Sequence, residues 1–290
     1  MSNKNPVVCS WGGGVQSTAI AEMVLRGDLP RPDLWIFADT GDEPVAIYPH
    51  VEKMFARLRA DGHTCLIVKH ASGMSLSEHT IMKAETVGGA GAAMPPMFVA
   101  DKTGTAMPLR RKCTSDFKIN VLKRAIKQHF DIPRRKPGKP YHGPVIQEWM
   151  GISLDEAQRM RISQDPWVEY VYPLIDRGLK RLDCIRYLKK YDNPAPRSAC
   201  TYCPFHSNRE WRNVKQNPKD WAAALDFERR IRAAYHAAPN KLKLESEPFL
   251  HRSRVPLDEA NIGEGQMELF GGMETNALAS AGFKKPRETS

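Results

Sequence analysis

The stretch VVCSWGGGVQSTAIAEMVL, residues 7–25, sets three consecutive glycines between a β-branched apolar run and a segment in which Ala19, Ile20, Met23 and Val24 recur at helical spacing. A strand that enters a helix through bare backbone narrows the folds open to a chain. The glycines either make a tight turn or let backbone N–H groups approach an anion. An ordinary strand-to-helix connection would use the same residues, so the loop alone leaves both readings open. Two glycine-rich templates fail, however. A Walker loop ends in Gly-Lys-Ser/Thr, and no lysine falls between Asn5 and Lys53; the dinucleotide fingerprint fits Gly12 and Gly14 but meets Ser17 where its third glycine belongs.

Further runs at 6–10, 34–38, 64–69, 145–152 and 168–172 read as strands, with amphipathic stretches at 17–26 and 47–60 between them. That alternation predicts an α/β fold, a Rossmann-like parallel sheet covered by helices. Strand signals stop at Asp176, after which 181–191 and 211–237 read as helices flanking a cysteine pair. The expected organisation is a nucleotide-binding domain over 1–175, a helical cysteine-bearing extension over 176–257 and a disordered tail over 258–290.

Charge is concentrated rather than spread. The chain carries a net +10, and residues 102–142, with twelve Lys or Arg against two Asp, hold the whole excess. Such a block is either a solvated face or a surface for the phosphates of a nucleotide or polynucleotide. No window approaches 18 uncharged apolar residues and no apolar stretch follows a basic N-terminal region, so neither a membrane span nor a signal peptide is expected, and the expected compartment is the cytoplasm.

In that setting six cysteines are not a disulfide framework. Cys9 and Cys65, inside apolar strands, read as small buried hydrophobes. Cys200-Thr-Tyr-Cys203, followed by Pro204, puts two thiols on one turn. The pattern suits a redox pair, half a zinc site or part of an iron–sulfur cluster. A redox pair usually opens a helix after a strand, and that context is missing.

A second stretch, WIFADTGDEP, ends a strand in Asp39-Thr40-Gly41 at the edge where open α/β sheets bind ligands. Together with the glycine loop it resembles the PP-loop ATP pyrophosphatase superfamily, in its phosphoadenosine phosphosulfate reductase-like branch of bacterial and phage type. GTAMPLRRKCTSDFKINVLKRAI is similar to that branch's basic segment with a cysteine and a downstream lysine, and WMGISLDEAQRMR to its glycine-to-arginine loop. YPLIDRGLKRLDC and CTYCPFHSNREW resemble the extension many members carry, so the likeness runs from residue 6 to about 256. The usual loop reads Ser-Gly-Gly-x-Asp-Ser; aligned on Ser17, this chain has Gly12 for the first serine and Gln16 for the aspartate, with Ser10 as a substitute hydroxyl.

The resemblance implies an enzyme that binds ATP with Mg2+, lets a substrate oxygen attack the α-phosphorus and releases pyrophosphate. It assigns nucleotide binding to Ser10, Gly12, Gly13, Gly14, Gln16, Ser17, Asp39 and Thr40, with Asp39 toward ribose or magnesium, and catalytic charge to Lys118, Arg159 and Arg111. It also implies a metal centre on Cys113, Cys200 and Cys203, a 4Fe-4S cluster with zinc as the alternative, and Cys184 or His206 as candidate fourth ligand. An open iron and the basic segment point to sulfur transfer onto a nucleic acid or small molecule, with a sulfur donor protein as partner. Sulfonucleotide reduction is the second reading, set back because the last cysteine is Cys203. A non-catalytic nucleotide- or nucleic-acid-binding module is the third.

Overall fold

The computed structural model describes residues 5–87, 94–133, 139–237, 244 and 246–263. In chain order these form β1 (Val7–Ser10), α1 (Val15–Leu25), β2 (Leu34–Asp39), α2 (Ile47–Ala60), β3 (Cys65–Lys69), α3 (Leu76–Val87) and the hairpin strands β4 (Phe98–Ala100) and β5 (Ala106–Pro108). A π-helical turn (Ser115–Ile119) runs into α4 (Asn120–His129), followed by β6 (Ile146–Met150), a 3-10 turn (Leu154–Arg159) and β7 (Val168–Val171). Helices α5 (Pro173–Asp176), α6 (Arg181–Lys190), α7 (Asn208–Gln216) and α8 (Pro218–Ala237) complete the described elements.

The five longer apolar runs make one parallel sheet in the order β3-β2-β1-β6-β7. From β1 the chain builds outward through β2 and β3, then returns to the other side of β1 for β6. That reversal opens a crevice at the carboxyl ends of β1 and β6, the usual ligand position in such sheets. Ser10 is level with Ile36 on one side and Met150 on the other. The loops after β1, β2 and β6 therefore share one edge.

Side-chain alternation assigns the two faces. Val7, Cys9, Trp35, Phe37 and Trp149 pack beneath α1, α2 and α6, whereas Val8, Leu34, Ile36, Ile146 and Val168 pack with Ile126 of α4. β2 is buried along its whole length, as befits a strand covered on both faces. α1 is buried on nearly every side, and its interior Glu22 is held by Arg57 at 2.7 Å, by Arg26 and by Asn193. A separate apolar cluster joins α3, α7 and α8 to Met97, Phe117, Tyr202 and Leu250. Packing thus crosses position 175: α6 lies on α1, and α3 lies on α8.

The expected helix over 211–237 is two helices. Asn217 is extended and its side chain accepts from the N–H groups of Lys219 and Asp220, capping α8, while Pro218 has no N–H with which to continue α7. α7 itself begins early, at a Ser207/Glu210 capping box. Residues 264–290, most of the expected tail, lie outside the described residues. Among the described residues no helix is long and apolar enough to cross a membrane.

Buried histidines tie stability to pH, His50 and His251 among them. Burial, aided by Lys53, lowers His50 to about 4, and burial with Arg252 does the same for His251. His50 bonds Thr18 of α1 at 2.9 Å and stacks on Trp11. The unfolded chain protonates both below about pH 6.5, whereas the folded chain waits until about 4. The contribution of these two histidines is therefore complete above pH 6.5 and should fall by up to ~1.4 kcal/mol per pH unit for each between 6.5 and 4. Urea midpoints at pH 7, 5.5 and 4.5 check this, and His50→Gln should flatten the decline.

Candidate nucleotide and thiol site

Each glycine of the loop does something different. Gly13 has φ +73°, a left-handed conformation, and a side chain on it would point at Trp11, Phe37 and Ile47 in the core. Gly12 is exposed and its Cα faces open space. Gly14 is the extended N-cap of α1 and gives the first N–H groups of the helix no side-chain cap. Ser17 donates to the Gly14 carbonyl at 3.1 Å, and Gly151 after β6 comes so close that a Cβ there would lie 3.1 Å from the Ser17 nitrogen.

Two residues matched to this loop are held by other partners. Gln16 accepts from Arg181 at 2.8 Å and reaches Ser153 at 3.5 Å, linking α1 to the β6 loop and to α6. Ser10 donates to the buried carboxylate of Glu148 at 2.5 Å, on the α4 side of the sheet. Burial raises the Glu148 pKa, although Ser10 and Lys123 act against it.

The end of β2 supplies the opposite wall. Asp39 accepts from the Gly41 N–H at 2.8 Å and from Tyr48 at 3.4 Å, and lies 3.3 Å from Lys69. Thr40 donates to Glu43 at 3.2 Å, and the same Glu43 oxygen is 2.7 Å from the Lys118 ammonium. Burial would lower the Lys118 pKa, but Glu43 outweighs it and keeps the ammonium charged. Asp42 binds the opposite way: its carboxylate accepts from Tyr202 (2.7 Å) and from the Ser77 N–H and hydroxyl (2.6 and 2.7 Å), while its carbonyl accepts from the Thr201 N–H. The loop after β2 is thereby fastened to the Cys200–Cys203 turn.

That turn closes through a Cys203 N–H bond to the Cys200 carbonyl at 3.0 Å, and the segment leading into it abuts the glycine loop, since a Cβ on Gly14 would lie 3.3 Å from Ser198. Burial raises the Cys200 thiol, as do Glu43, Cys203 and Cys113, against the pull of Lys118. Burial also raises Cys203, where the Phe205 N–H and Arg111 oppose it and Cys113 adds to it. The three thiols therefore lie within electrostatic reach of one another. Arg111 sits over the Phe205 ring, 5.9 Å from its centroid. Three thiols with cations alongside are a donor set suited to zinc or an iron–sulfur cluster. Among the described residues, no three His, Cys, Asp or Glu are already drawn together around one point.

No protein-family model matches the chain, and no curated protein does.

The other expected residues divide. Cys184 is fully buried in the core cluster of α1, its thiol pushed up to about 12 by burial, whereas Cys113 and Cys200 pack against the cluster of α3, α7 and α8. His206 bonds the Cys200 carbonyl through Nε2 at 3.1 Å and is lowered to about 4 by burial and Arg197. Its Nδ1 has no hydrogen-bond partner. Arg159 is half-exposed on the 3-10 turn and pairs with Glu156 at 2.5 Å. Cys9 and Cys65 are buried, as their strands imply. Arg134, Arg135 and Lys136 of the basic block lie outside the described residues.

Sequence reasoning missed Glu43, Asp42 and Ser198. The contiguous acids of D-T-G-D-E were the available signal for the first two; nothing marked Ser198. The π-helical turn, which carries Lys118, also had no sequence signature, although such turns are frequent at functional sites. Beyond it, Asn120, Lys123, Arg124, Lys127 and Asp165 line a groove of about 460 Å³, with Lys123 paired to Asp165. A second groove of about 530 Å³ follows β7 and includes no residue of the glycine loop.

Proposed function

We propose that the chain is an ATP-using enzyme of the PP-loop type that adenylates an acceptor with release of pyrophosphate and transfers sulfur to it. The observation that carries this reading is the approach of the glycine loop to the segment that leads into the thiol turn, Gly14 to Ser198, with Lys118 set near Cys200. An acceptor oxygen attacks the α-phosphorus, and the bond to the β-phosphate breaks. The leaving pyrophosphate gathers charge where the N–H groups that open α1 point. Lys118 and Arg111 are the cations on the thiol side, and Asp39 is the carboxylate we place toward ribose or magnesium. A sulfur nucleophile from a donor then attacks the adenylated carbon and expels AMP. Cys113, Cys200 and Cys203 are the residues that would hold a metal centre, which when bound would supply a soft site for sulfur.

Sulfonucleotide reduction would need an attacking thiolate, and burial works against one at Cys200 and Cys203. Product analysis separates the readings. ATP, magnesium and a polynucleotide acceptor should yield AMP and pyrophosphate. ADP and phosphate would overturn the proposed chemistry, and bound but intact ATP would leave a binding module.

The basic block is the surface we assign to a polynucleotide acceptor. Neutralising Arg124 and Lys127 on α4 should weaken binding across sequences and flatten the salt slope by about one for each phosphate left without its cation. The same is expected for Arg134, Arg135 and Lys136. Absence of polynucleotide binding at low salt would make the acceptor a small molecule.

A further inference from the structure

Glu43 is an unusual neighbour for a lysine meant to face phosphates. Its side chain is fully buried, one oxygen takes both Lys118 (2.7 Å) and Thr40 (3.2 Å), and the other has no hydrogen-bond partner. A buried carboxylate with an unused oxygen is costly and is kept where its charge has a task. The pair is also lopsided. Lys118 remains about a third exposed while Glu43 is closed off, so the cation alone can turn toward a ligand.

We infer that Glu43 is a positioning residue that holds Lys118 on the thiol side of the cleft and competes with the nucleotide's phosphates for it. With Glu43 ionised the pair is neutral, and its pull on a polyphosphate is small. When ATP arrives on the glycine loop, Lys118 must be shared between Glu43 and phosphate oxygens, and once pyrophosphate leaves, Glu43 draws it back. This rests on the placement of ATP proposed above, and it fixes a sign that would not otherwise be expected. Loss of the acid should tighten nucleotide binding.

The test is calorimetric titration of the full chain with α,β-methylene-ATP, which cannot be cut between the α and β phosphates. Glu43→Gln keeps an acceptor for Lys118 and Thr40 but removes the charge. It should bind about fivefold to tenfold more tightly than the unaltered protein. The gain should vanish when Lys118→Ala is made in both backgrounds, since the effect acts through that lysine. Glu43→Asp, which withdraws the carboxylate from Lys118, should fall between the two; it decides the matter by itself if Glu43→Gln does not fold. Equal or weaker binding by these variants would overturn the inference, as would a gain that survives the loss of Lys118. Failure of both the unaltered protein and the variants to bind nucleotide would remove the ATP reading and this inference together, whereas binding without a difference removes this inference alone.

Discussion

Gly13→Val is expected to abolish ATP binding in a protein that still folds. Gly13 sits at φ +73°, where a β-branched residue is strained by roughly 1–3 kcal/mol. Its Cβ would sit at an ordinary 3.7–3.8 Å from Ile47, Trp11 and Phe37, but the two further methyls of valine would press into those side chains. The cheapest relief is a shift of the loop itself, and that turns the N–H groups of Gly13, Gly14 and Val15 away from a bound phosphate. The side chain points inward, so it acts by distorting the backbone and not by standing in the ligand's way. Gly12 is the position for the second effect. Nothing lies within 4 Å of a Cβ placed there. Gly12→Val should keep the unaltered protein's melting temperature and still lower ATP affinity by filling the approach. Titration beside thermal melting separates the two, and unchanged affinity in a folded Gly13→Val protein would defeat the loop assignment.

Substitution of Cys113, Cys200 or Cys203 by serine should remove one shared metal centre and the activity with it. Two thiols on a single turn are an incomplete site for zinc or an iron–sulfur cluster, and Cys113, whose charge bears on both, is the third ligand we propose. Without metal, burial holds Cys200 and Cys203 protonated; Lys118 and Arg111 favour the thiolates that a metal requires. Each serine variant, purified anaerobically, should lose the same visible absorption and bound iron, whereas Cys9, Cys65 and Cys184 variants should keep both. A colourless preparation with stoichiometric zinc would make the centre zinc and remove the strongest reason for sulfur transfer.

The parallel sheet was legible because its strands are short β-rich runs that alternate with helical stretches, with Leu34–Asp39, buried along its whole length, the plainest. Less was legible outside it. α3 begins at a capping box, Ser75 with Glu78, that is visible in sequence but sits beside too short an apolar stripe to stand out. The break at Asn217–Pro218 was hidden because both helices bury residues on the same core, so their periodicities run together. At the site, residues given by motifs (Gly12 to Gly14, Asp39, Lys118 and the thiols) were nameable in advance, whereas Glu43 and Ser198 matter through neighbours brought in by chain segments 75 or more residues distant. Arg159, also given by a motif, stands half-exposed and pairs with Glu156 on its own turn.

The structure of the protein in complex with α,β-methylene-ATP decides where the nucleotide sits. The β- and γ-phosphates are expected on the N–H groups that open α1, and the α-phosphate on the side facing Lys118 and the Cys200–Cys203 turn. A nucleotide seated instead in the groove of Asn120, Lys123, Arg124 and Lys127, with the glycine loop free of phosphate, would contradict the proposed site and the chemistry built on it.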